Sequence, residues 1–140
     1  MSEDLLNLVN EELMVALAPL DFRVVSSEVA DVFDNATVVL EAPALRIRVL
    51  RERSIVVLDI GPAFEPNTWF DSAVVMDYLG LSTDAGFHDR DARGVLRGAG
   101  AFLTSMWKEL TTKFERHQFT NTKKELSSLR EDRALRLFGS

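Results

Sequence analysis

The sequence predicts an α+β domain: an antiparallel meander of about four strands, preceded by one N-terminal helix and followed by about three more. Three observations carry this. Apolar residues recur at three- and four-residue steps near the N-terminus, Val/Ile/Leu runs follow one another across short polar turns, and helical periodicity returns after residue 68. The 140 residues, 46% apolar and 27% charged, suit a single domain over 1–140 with a sizeable core.

The first helix is read from Leu5, Leu6, Val9, Leu13, Ala16 and Leu17, which form one stripe. Ser2 is placed to cap it, and Pro19 is expected to end it at Ala18. Strands are expected at Phe22–Glu28, Ala36–Glu41, Leu45–Leu50 and Ile55–Ile60. With four-residue turns at 41–44 and 51–54, Leu40 faces Leu45, Val49 faces Val56 and Arg46 faces Asp59. That register puts one apolar set on one side, and a one-residue slip would scatter it. The other side carries Thr37, Val39, Arg46, Arg48, Ile55, Val57 and Asp59, a mixed surface suited to partial cover by a helix or to interaction.

Gly61-Pro62 and Pro66-Asn67 mark a loop, and Thr68 to Asp71 resembles a capping box opening a helix that Gly80 stops. Residues 81–94 read as a long polar loop or a short irregular helix. From Val95, the residues Leu96, Ala99, Leu103, Trp107, Leu110 and Phe114 form the stripe of a long helix. Thr122 to Glu125 matches another capping box, so a peripheral C-terminal helix is expected within 118–140.

Net charge is −6, unevenly spread: residues 1–91 hold 6 basic and 17 acidic side chains, residues 92–140 hold 10 basic and 5 acidic. The acidic body argues against non-specific nucleic-acid binding. The basic tail suits internal attraction to that body, or a platform for self-association through the C-terminal helices or for RNA. Without cysteine there is no disulfide, thiol nucleophile or thiolate metal site. The start, MSEDLLNLVNEELM, has acidic residues where a secretory leader carries Lys or Arg, and no run approaches a membrane span. A cytoplasmic location without membrane association is the resulting expectation.

No motif specifies catalysis, a metal or a cofactor. His88-Asp89-Arg90-Asp91 with Asp84 brings histidine near carboxylates, but i, i+1, i+3 spacing does not converge on one helical face. His117, beside Lys113 and Arg116, is explained by the dipole at a helix C-terminus. Gly94, Gly98 and Gly100 depart from G-x-G-x-x-G and suit close helix packing instead. Arg46 and Arg48 share a strand face and suit an anionic ligand or nucleotide as the alternative function, with Glu41 and Asp59 available to neutralise them.

The run FDNATVVLEAPALRIRVLRERSIVVLDIG, followed by WFD, resembles small bacterial proteins, some of which look like immunity partners of polymorphic or contact-dependent toxins. The resemblance spans roughly residues 20–80 and rests on the strand pattern with Asn35, Arg46, Arg48, Asp59 and Trp69. It implies a non-enzymatic protein-binding domain that neutralises a cognate toxin. Many nuclease toxins are basic, so an acidic inhibitor would associate fast and in a salt-dependent way. On that reading the partner-binding candidates are Glu28, Asp31, Asp34, Asp71, Asp77, Asp84, Asp89 and Asp91.

Overall fold

A computed structural model describes residues 4–30, 35–81 and 91–138. The expected Ser2 cap, most of the 81–94 loop, and Asp31, Asp34, Asp84 and Asp89 lie outside these residues. The architecture is α+β: an N-terminal helix, an antiparallel meander and several C-terminal helices.

The first helix, α1, is α-helical over Leu5–Leu8, widens to a π-helical stretch over Val9–Met14 and returns to α over Val15–Leu17. Asp4 caps it, accepting the Leu6 N–H at 3.2 Å. Pro19 does not end the chain's coiling at Ala18. Ala18 keeps right-handed helical dihedrals, and a 3₁₀ turn over Ala18–Leu20 carries the proline near its start, where no donor is missed. The reversal comes at Asp21, which is left-handed at φ 64°.

Strands β1 (Arg23–Val29), β2 (Ala36–Glu41), β3 (Leu45–Glu52), β4 (Ile55–Pro62) and β5 (Phe70–Asp71) lie in that order, each antiparallel to its neighbour. The expected faces hold, but the expected pairs are displaced by two residues. Leu40 faces Ile47, Val49 faces Leu58, and Asp59 lies opposite Arg48 rather than Arg46. The cause is the turns. Arg53 and Ser54 alone join β3 to β4, both left-handed at φ 51° and 71°, the backbone of a tight twisted hairpin. Pro43 and Ala44 join β2 to β3 beneath an Ala42 N–H to Leu45 C=O bond of 2.8 Å. A two-residue shift leaves every side chain on its own face, so apolar alternation alone does not distinguish the registers.

The inner face of the sheet is the core. Val38, Leu40, Leu45, Ile47 and Val49 are fully buried, as are Leu5, Leu13 and Leu17 of α1. Helix α2 (Ser72–Tyr78) is capped by Asp71, whose carboxylate accepts the Ala73 N–H at 2.7 Å, so the capping box expected at Thr68 does not form. Thr68 instead donates to Glu65 at 2.6 Å. Gly80, at φ 76°, reverses the chain after α2.

The expected long helix is two: α3 (Ala92–Ser105) and α4 (Trp107–Lys113), broken at Met106. The final helix, α5, runs Arg116–Phe138. Thr122 is therefore not a cap but a buried residue inside α5, its hydroxyl donating to the Gln118 carbonyl at 3.3 Å. Phe119 and Leu126 sink the first half of α5 into the core. His117 consequently lies in the first turn of a helix, not the last, and the dipole account expected for it does not apply.

Basic tail and acidic body meet within the chain. Arg93 reaches Glu11 at 2.9 Å and Glu12 at 3.2 Å, Arg97 reaches Glu12 at 2.6 Å, Lys123 reaches Glu65 at 3.2 Å, and Arg136 lies 3.8 Å from Asp77. Glu12 is the centre of the largest group, its side chain only 12% exposed. The Arg97 hydrogen bond, aided by Arg93, holds its carboxyl below the ordinary glutamate pKa against the opposing effect of burial.

Candidate functional site

Strand alternation sends Arg23, Ser26 and Glu28, then Thr37, Val39 and Glu41, to the outer face of the sheet. Arg46, Arg48 and Leu50, then Val57, Asp59 and Asp71, continue it across β3 to β5. The packed helices lie on the inner face, against β2 and β4. The outer face is bare at its β3–β4 hairpin end, where Ile55 is 66% and Val57 43% exposed beside half-buried Leu50, whereas Val39, opposite Arg48, is buried. Scattered apolar surface residues are ordinary, but a contiguous patch on a sheet is a feature of docking surfaces.

One end of this face is rigidly built. Trp69 lies over the arginines, its ring 4.7 Å from the Arg48 guanidinium carbon and 5.7 Å from that of Arg46. Arg48 donates through Nε and Nη2 to one oxygen of Asp59, at 3.0 and 2.6 Å. Arg46 donates to the Pro66 carbonyl at 2.9 Å, while its Nε is buried without an acceptor among the described residues. Gly61, opposite Arg46, makes this possible: an alanine methyl there would stand 2.1 Å from the Thr68 carbonyl oxygen. Arg46, Arg48, Asp59 and Trp69, scattered through the sequence, thus converge on one cluster. Arg48 gives two of its N–H donors to Asp59 and Arg46 one to Pro66, so each guanidinium is oriented by the chain.

The acidic candidates do not form one patch. Glu28 and Asp71 share the outer face but stand on β1 and β5, roughly 19 Å apart at about 4.8 Å per strand. Asp71 and Asp91 each cap a helix, Asp91 accepting the Arg93 N–H at 3.1 Å, and Asp77 lies near Arg136. Glu28 is exposed and makes no ion pair among the described residues. Asn35, on the other hand, has a clear duty: its side chain accepts the Arg53 N–H at 2.9 Å and braces the β3–β4 turn.

No family model, curated protein or solved structure matches this chain. Among the described residues no three His, Asp or Glu side chains stand close enough to hold a metal ion, and no helix is long and apolar enough to cross a membrane.

A second feature was not expected from the sequence. Between the 62–68 loop and α5 lies a groove of about 690 Å³. Phe64 and Phe119 meet there edge to face, ring centroids 5.7 Å apart, and the Arg116 guanidinium lies 4.9 Å over Phe64. Lys123, Lys124, Ser127 and Glu131 continue along the same wall. Glu65 faces them, accepting from Thr68 and Lys123, which together hold its carboxyl below the usual range. The only sequence signal was the polar spacing of Arg116, Thr120, Lys123, Ser127 and Glu131 at helical intervals. That a loop aromatic some fifty residues earlier closes the groove is not encoded locally.

Proposed function

We propose that this chain is a non-enzymatic protein-binding domain that receives its partner on the outer face of the sheet, and that it acts as an immunity protein masking a basic toxin domain. The observation carrying the reading is the exposed apolar strip, Ile55 and Val57 beside Leu50, framed by the braced Trp69–Arg48–Asp59 cluster. Apolar residues ringed by polar ones match the anatomy of a protein interface. The charges of the face support a basic partner. Of its cations, Arg23 and Arg48 stand beside Glu41 and Asp59 and Arg46 is turned to the Pro66 carbonyl, while Glu28, Glu52 and Asp71 are exposed carboxylates of the same face. Such a rim speeds association with a cationic surface and makes it salt-sensitive. The resemblance over residues 20–80 supplies the toxin part of the reading.

The test uses the full chain and its Ile55→Glu/Val57→Glu variant as baits against native lysate, at low and moderate salt. Both substituted side chains are exposed, so the variant is expected to keep the parent Tm. The expected result is one basic, salt-sensitive partner retained by the parent and lost from the variant. Co-expression of the parent, but not the variant, should then relieve the growth inhibition that partner causes. A partner held equally by both proteins refutes the face assignment. A partner that inhibits no growth refutes the immunity role.

A further inference from the structure

We propose that the groove between the 62–68 loop and α5 is a binding site for a small phosphate monoester carrying a flat ring, the chemistry of a nucleoside monophosphate. This is separate from the sheet-face reading, because none of its lining residues belongs to the exposed strip.

The groove is assembled from distant parts. Arg116, Thr120, Lys123, Lys124, Ser127 and Glu131 follow one stripe of α5, about 22 Å long at 1.5 Å per residue. Its volume lies within the roughly 300–1,000 Å³ of small-molecule sites. Its cations are of two kinds. Lys123 is held by Glu65, whereas Arg116 and Lys124 have no carboxylate partner among the described residues. Arg116 is nevertheless fixed, because its guanidinium rests on Phe64, and Phe64 is braced by the buried Phe119. A planar guanidinium positioned this way presents its N–H fork to a phosphate with less rotamer freedom to lose.

Charge sets the ligand class. Three cations, Arg116, Lys123 and Lys124, face two carboxylates, Glu65 and Glu131, so the surplus suits one phosphate group and not a polyanion. With the Arg116 guanidinium laid on half-buried Phe64, a flat ligand ring would stack on this pair. Thr120, one turn from each of Arg116 and Lys124, suits a hydroxyl or amine of a ligand that fits the roughly 12 Å between those two residues at 1.5 Å per residue.

The experiment is a titration of the ¹⁵N-labelled full chain, followed by amide chemical shifts, with AMP, adenosine and inorganic phosphate in separate arms. AMP is expected to give saturable shifts confined to residues 64–65 and 116–131, with adenosine and phosphate each at least tenfold weaker. Arg116→Gln and Lys124→Gln, both at exposed positions, should each weaken AMP about tenfold while leaving the rest of the spectrum unchanged. Equal binding of inorganic phosphate removes the ring from the proposal, and equal binding of adenosine removes the cations. Absence of saturable shifts with AMP at millimolar concentration, or undiminished binding by both variants, overturns it.

Discussion

Replacing Gly61 by alanine drives a methyl carbon to within 2.1 Å of the Thr68 carbonyl oxygen and 3.3 Å of its carbonyl carbon. Unbonded heavy atoms rest near 3.5 Å, so relief requires a displacement of at least about 1 Å. Neither side yields freely. Gly61 is buried within β4, and the opposing loop is pinned by the Thr68 N–H to Glu65 carbonyl bond, at 3.0 Å, and by the Arg46 bond to Pro66. Overpacking of this kind costs roughly 1–3 kcal/mol, and one or two loosened hydrogen bonds add about 1 kcal/mol each. Restricting the unfolded chain returns about 0.4–1 kcal/mol. The net expectation is a loss of about 2–3 kcal/mol. The assay is equilibrium urea unfolding, where a slope of about 1.5 kcal/mol per molar converts this to a midpoint roughly 1.5–2 M lower. Trp69, touched by the same methyl at 3.4 Å, reports locally: in a Trp107→Phe background its fluorescence should change in the native state. A midpoint change worth less than about 0.5 kcal/mol, with unaltered Trp69 emission, refutes the claim that the Thr68 approach requires glycine.

Two further predictions concern the turns and the helix pair. Ser54→Gly should raise stability by about 0.5–1 kcal/mol, because φ 71° is strained for serine and free for glycine; an unchanged or lower urea midpoint contradicts the hairpin geometry. Stability should fall as pH drops from about 5 towards 3, because a carboxyl with a depressed folded-state pKa stabilises above its unfolded value and loses that contribution as it protonates. Glu12→Gln removes the Arg97-paired carboxylate and should flatten part of this slope, with little effect on the slope between pH 6 and 8. Equal acid slopes in both proteins would show that the Glu12–Arg97–Arg93 group carries no such linkage.

Much of the fold was legible because its signals are local. Val/Ile/Leu-rich runs at Ala36–Glu41, Leu45–Leu50 and Ile55–Ile60 marked three strands and their buried face, and helical spacing marked α1 and the stripe from Leu96 to Phe114. The close approach expected of the GVLRGAGA segment is realised at Gly100, where an added methyl would lie 2.8 Å from the Ala16 side chain. Short ambiguous stretches failed. The two residues of β5 are too few to show a period, and Thr68 and Thr122 satisfied a capping pattern that the tertiary structure assigned elsewhere.

What the sequence determined by itself was therefore the class of fold, the faces of the sheet and the opposition of an acidic body to a basic tail. The register was decided by left-handed residues at Arg53 and Ser54, because a shift by two leaves the apolar pattern unchanged. Only the tertiary structure decided which charges are spent. Arg48 went to Asp59, Arg93 and Arg97 to Glu12, and Lys123 to Glu65, while Arg116 was laid on Phe64. Apart from Arg48–Asp59, which the β3–β4 hairpin pairs directly, these partnerships join residues distant in the chain, and electrostatic attraction in a sequence has no address until packing brings its two ends together.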